Sequence, residues 1–148
     1  MFRKEVMAVV YRLKGGEKEF LLMKRKKNWV GYEFVKGGIE KSETPEKAVE
    51  RELREETGIS KSELISIKKT KLTVRVKYPS TFVSRNYSGA VFSIFIIEVK
   101  GRNEIKVDPV EHSGYAWVCE KDVLGMFWRG NLKRVFRDCV KILHSENK

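Results

Sequence analysis

Residues 37–59 read GGIEKSETPEKAVERELREETGI, and this stretch decides the fold. Thr44 suits an N-cap and Pro45 the first helical position, where no amide hydrogen is needed. Gly58 stands where a helix stops, because glycine enters a left-handed cap most easily. The stretch therefore predicts a helix over residues 45–57, anchored on a sheet by Ala48, Val49 and Leu53. Glu52, Glu55 and Glu56 are spaced i, i+3, i+4, which puts their carboxylates on one face with Cβ atoms about 5–6 Å apart. Arg51 and Arg54 are the cations on that turn, and they are expected to point partly elsewhere. A divalent cation offsets the repulsion, and an all-oxygen set suits Mg²⁺ or Mn²⁺ better than Zn²⁺. Gly37-Gly38 lets backbone pass close to the metal or to phosphates. The alternative reading is a solvated helix rich in Glu and Lys pairs.

Outward from this helix, the chain alternates strands and helices without regular βαβ units. Val6–Leu13, a turn at Gly15-Gly16 and Phe20–Met23 predict a hairpin. Residues 64–77 predict one long strand or two short ones. Ala90–Val99, apolar on both faces, predicts a central strand, and Tyr115–Cys119 a short one. Leu132, Val135, Phe136, Cys139, Val140 and Leu143 recur at helical spacing, so a C-terminal amphipathic helix is expected over 131–143. The pattern favours an α/β fold, a mixed sheet with a helix on each side.

The 148 residues predict a single domain, 1–148. Seven glutamates in residues 40–56 form an acidic focus inside a chain of net charge +11, which suggests a cation site within a surface that attracts anions. The bland reading is an acidic helix on a basic protein. Cys119 and Cys139 lie in no CxxC pair, which argues against a disulfide framework or a zinc site. The apolar run from Val91 to Val99 is about half the length that spans a bilayer, and no secretory signal is visible, so a cytoplasmic protein and no membrane partner are expected.

Gly37, Glu43, Arg51-Glu52-Leu53, Glu55-Glu56 and Gly58-Ile59 match every fixed position of the Nudix box, and the chain resembles a Nudix hydrolase. The resemblance implies an α/β/α sandwich that hydrolyses a nucleoside diphosphate linked to another moiety, with Mg²⁺ or Mn²⁺. It implies metal ligation by Glu52, Glu55, Glu56 and the backbone carbonyl of Lys36, with one glutamate as general base. Arg51 and Glu43 resemble a structural pair that orients the catalytic helix. Gly37, Glu43 and Gly58 belong to the motif's frame.

Two further segments are similar to Nudix enzymes that cleave diadenosine tetraphosphate asymmetrically. They are Tyr32–Glu40, with Tyr32 and Val35 in place of Trp and Pro, and Glu111–Val118, with Ala116 in place of Arg. Glu111 is then a candidate base or metal contact, or an exposed loop carboxylate. His112 is a candidate phosphate contact or a solvated loop histidine. Tyr78 and Tyr87 are candidates to stack on a purine, and Lys36 is grouped with the substrate contacts. Trp117 reads as core packing. The subgroup acting on ADP-ribose carries a Pro where this chain has Val74 and Arg75, which counts against that substrate. Lys68, Lys69, Lys71, Arg75, Lys77 and Arg85, with Lys24–Lys27, are candidates to line the route of a long polyphosphate or to hold RNA, the alternative being a solvated basic surface. The first candidate substrate is a dinucleoside polyphosphate, diadenosine tetraphosphate cut to ATP and AMP; the alternatives are nucleoside triphosphates, RNA 5′ ends and ADP-ribose.

Overall fold

Strand β1 (Phe2–Lys14) sends alternate side chains into two different cores. Val6, Ala8 and Val10 join one; Met7, Val9 and Tyr11 join the other. A period of two with apolar residues on both sides is what a strand buried between two layers requires. The computed structural model describes residues 1–26, 30–79, 86–101 and 104–146. One seven-stranded sheet is formed by β1, β2 (Glu17–Arg25), β3 (Gly31–Glu33), β4 (Val35–Gly38), β5 (Leu64–Lys77), β6 (Gly89–Val99) and β7 (His112–Cys119).

The order along the sheet is β3-β2-β1-β6-β5, with β4 also pairing β1 and β7 also pairing β2. Only β1 and β6 run parallel; the other pairs are antiparallel, so the sheet is mixed. Helix α1 (Pro45–Thr57) covers one face, packing on β1 and β4 through Ala48, Val49 and Leu53. Helices α2 (Glu120–Met126) and α3 (Gly130–Glu146) cover the other through Val123, Leu132, Val135, Phe136 and Cys139. There Phe20 meets Phe136 edge to face, with ring centroids 4.9 Å apart. The architecture is thus the expected α/β/α sandwich.

The ends of α1 follow from its sequence. Thr44 accepts a hydrogen bond from the Lys47 amide (3.2 Å), and Gly58 takes φ 77° while its amide donates to the Arg54 carbonyl. Replacing such a cap by Ala costs about 1 kcal/mol. Residues 64–77 form one strand, not two. It is broken in register between Lys69 and Thr73, where the Thr70 hydroxyl leaves the ladder and donates to the Ile94 carbonyl (2.8 Å). The short β3, β4 and α2 are not legible in the sequence, because elements this brief carry too few turns of any period. Trp117 is only partly buried, and the Arg12 guanidinium lies 4.1 Å from its ring centroid. Cys119 and Cys139 are free thiols.

Candidate active site

Strand β4 and helix α1 meet at Gly37. A Cβ there would stand 2.0 Å from the Glu52 carboxylate carbon, so the missing side chain is what lets Glu52 reach past the strand. The neighbouring Gly38 does the same for the Arg3 guanidinium, which lies where a Cβ would be. Glu52 and Arg3 thereby line a cleft of about 820 Å³ together with Glu5, Lys36, Tyr78, Phe92 and Glu111. Its floor is the sheet, crossed from β4 through β1 and β6 to β5.

The carboxylates have unequal surroundings. Glu56 is buried, and its Oε2 accepts one hydrogen bond from the Lys36 amide (3.0 Å). Burial first, then the nearby Glu33 and Glu52 charges, push its carboxyl well above the usual range. Glu52 is raised as well, by burial and by Glu55 and Glu111, with Arg51 opposing. Glu111 and Glu56 offer oxygens within 4.8 Å of each other and of a His112 ring nitrogen. Glu55 differs, being 53% exposed in its side chain and held by Arg51 at 3.2 Å. The three helical glutamates do not meet as equals: Glu52 and Glu56 turn inward and Glu55 faces solvent.

Arg51 does more than the sequence suggests. Its Nε and Nη2 donate to Glu43 (2.8 and 3.0 Å), Nη2 to the Gly38 carbonyl (2.8 Å), and Nη1 to Glu52 (2.9 Å) and Glu55 (3.2 Å). Arg51 thus pairs with Glu43, as expected, and points only partly away from Glu52 and Glu55, because the guanidinium fork is wide enough to bridge loop and helix. Hydrogen bonds from Arg51 and from the Glu40 amide hold the Glu43 carboxyl down at about 2.

His112 is neither a solvated loop residue nor placed as a phosphate contact. It is 1% exposed, at the start of β7, and its Nε2 lies 2.8 Å from Glu33. Glu33, also 1% exposed, stands out in the sequence only as a member of the Tyr32–Glu40 segment. Burial pushes its carboxyl up, but His112, Lys36 and Arg25 outweigh that and hold it below its ordinary value. The His112 Nε2 meets the Glu33 carboxylate, which leaves the other ring nitrogen, Nδ1, to face elsewhere. That atom is buried without a hydrogen-bond partner. Burial, and a position outside the cleft lining, are the physical reason for the correction.

The remaining substrate candidates separate. Tyr78 lines the cleft at the end of β5, its hydroxyl 3.5 Å from Glu5. Tyr87 is half-buried and close enough to Tyr78 to perturb its hydroxyl, but it does not line the cleft. Of the basic stretch, Lys77 and Arg25 line the cleft, while Lys69 and Arg75 do not; by register Lys69, Arg75 and Lys77 share one face of β5, and Lys77 reaches the cleft as the last residue of the strand. Lys68 pairs with Glu146. Lys27 and Arg85 lie outside the described residues. The expected basic route is thus not continuous: Lys68 alternates to the α3 side, where it meets Glu146, and of the β5 cations only Lys77, at the strand's end, lines the cleft. Among the described residues no helix is long and apolar enough to cross a membrane.

A family profile described as "NUDIX domain" matches residues 1–139. The chain is 30% identical over 127 residues, 82% of its own length and 81% of the relative's, to a protein of a Nitratiruptor species named RNA pyrophosphohydrolase. Its fold is similar to a solved C. elegans Ap4A hydrolase binary complex, with TM-score 0.78 and 18% identity over 97% of this chain and 98% of that one. An E. coli dihydroneopterin triphosphate pyrophosphohydrolase superposes with TM-score 0.77 and 18% identity over 93% and 96%. These structural likenesses concern the fold alone. Because the profile spans nearly the whole chain, helix and cleft included, this protein belongs to the Nudix family and is an enzyme that hydrolyses phosphoric anhydride bonds.

Proposed function

We propose that this enzyme cleaves dinucleoside polyphosphates asymmetrically, converting diadenosine tetraphosphate to ATP and AMP. One observation carries the reading. Glu52 sits beside β4 at one side of the cleft and Tyr78 at the end of β5 on the other. Three strand spacings separate these strands, about 14 Å. That distance suits a base stacked on Tyr78, with Tyr87 nearby, and a polyphosphate running past Arg3 and Lys36 to the carboxylates.

Divalent metal ions serve Nudix hydrolases generally, and the donor set here fits one. Glu52 and Glu56 crowd negative charge that one backbone amide and Arg51 only partly offset. Glu52, Glu56 and Glu111 would hold Mg²⁺ or Mn²⁺, with Glu55 and the Lys36 carbonyl completing the proposed set. When bound, the ion polarises phosphate oxygens and lowers the pKa of a water. Glu52 is the proposed general base and takes the proton of the attacking water. The water oxygen bonds to phosphorus, the bridging P–O bond breaks, and the leaving phosphate carries away the electron pair. Arg51 orients Glu52, and the Lys36 amide orients Glu56.

A second reading keeps the chemistry and takes the triphosphate at an RNA 5′ end. It is favoured by the name of the Nitratiruptor relative. Incubation with a panel of dinucleoside tetraphosphate, nucleoside triphosphates, ADP-ribose and 5′-triphosphate RNA, with products resolved by ion exchange, separates the readings. In ¹⁸O-water the label is expected on one product of the tetraphosphate only. Cleavage to two diphosphates, or faster turnover of any other substrate on the panel, overturns the first reading, and preference for RNA ends supports the second.

A further inference from the structure

The face of the sheet that α1 covers is not covered to its end. Helix α1 packs on β1 and β4, over Val6, Ala8 and Val10. Toward the start of β1 the same face carries Phe2 and Lys4, in register with Gly89 and Val91 of β6 and then with Lys77 and Arg75 of β5. Ser93, Thr73 and Lys69 continue it toward the core. Lys4, Lys69, Thr73, Arg75 and Lys77 are all exposed. Among the described residues of these three strands the face holds no acidic side chain, because Glu5, next to Lys4, points into the cleft instead.

Its cations are spread as well as numerous. Lys4 and Arg75 are two strand steps apart, about 10 Å. The Arg75 guanidinium lies 5.1 Å from the Phe2 ring centroid, which holds it against the sheet. Lys77 belongs to both regions, as the last residue of β5 and as part of the cleft lining. A polyanion on this face therefore meets the cleft at the same end of the sheet. Open sheets with basic side chains and aromatic rings are a recurrent platform for single strands.

We propose that this uncovered face of β1, β6 and β5 binds single-stranded RNA through Lys4, Lys69 and Arg75. The chain's net charge of +11 supplies the long-range attraction, and this face gives it a place to act. The inference goes beyond the reading of the cleft. Binding here does not require that the RNA end be the bond that is cut, so either idea can fail without the other.

The test uses a fluorescent 12-nucleotide RNA with a 5′-hydroxyl, which offers no anhydride, followed by anisotropy over a salt series. The full chain is expected to bind, and the K4E/K69E/R75E variant to bind at least about tenfold more weakly at low salt. The slope of log affinity against log salt is expected to fall by about 2 when three phosphate contacts are lost. The neutral variant K4Q/K69Q/R75Q, which adds no repulsion, is expected to fall between them. Both variants are checked by melting temperature and by hydrolysis of the tetraphosphate or nucleotide that the wild type turns over fastest, which neither is expected to change. Undiminished RNA binding by both folded variants overturns the proposal. So does equal affinity for duplex DNA, or binding to phosphatidylserine vesicles without binding to RNA.

Discussion

Glu33 and Glu56 are both buried carboxylates, at 1% and 4% exposure, and they are close enough to repel. Their surroundings are opposite. Glu33 is met by the His112 ring, the Arg25 guanidinium and the Lys36 ammonium, and is held ionised. Glu56 is met by one backbone amide and by other carboxylates, and is pushed toward protonation. The Glu33 charge is matched as the chain folds, and its contact with His112 ties β3 to β7. The Glu56 site has negative charge left over, which is where a divalent cation fits. Burial alone does not tell a structural carboxylate from a metal-binding one; the inventory of partners does.

Breaking the matched site is expected to have the largest effect. His112→Ala leaves Glu33 with its two cations but no buried donor, and should lower stability by about 3 kcal/mol. A urea melt checks this, and a loss below the error of the midpoint would mean that the pair contributes nothing. Next comes Glu52→Gln, expected to lower turnover at least about a hundredfold with little change in KM. Steady-state kinetics in which KM rises and turnover is unchanged would remove Glu52 from the general-base role.

Glu56→Gln sharpens the contrast, because its two consequences have opposite signs. Mn²⁺ affinity by titration calorimetry should weaken at least about tenfold. Without metal, the melting temperature at pH 7 should rise, since a carboxyl whose folded pKa is raised costs stability once pH climbs past its unfolded value. A fall in melting temperature without metal would place Glu56 with Glu33 instead. The smallest effect belongs to Glu43, whose carboxyl is held at about 2 by Arg51. Its stabilisation is present above the unfolded value near 4.5 and is lost as pH falls toward 2. Glu43→Gln should flatten that part of the stability–pH curve, as measured by melting temperature from pH 5 to pH 2.

Local signals carried much of the molecule into the sequence. The caps of α1, the spacing of Glu52, Glu55 and Glu56, the β1–β2 turn at Gly15-Gly16 and the apolar face of α3 are legible because each depends on residues a few positions apart. The family resemblance rests on the same local string. What only the tertiary structure decided depends on pairs far apart in the chain. Glu33 and His112 are 79 residues apart, and nothing near either one announces the other. Gly37 matters because α1 returns over β4 and brings Glu52 to where its side chain would be. The basic stretch of β5 reads as one block in sequence. It becomes two surfaces because a strand in a sheet sends neighbours to opposite faces, and only the packing of α1 and α3 says which face is left open.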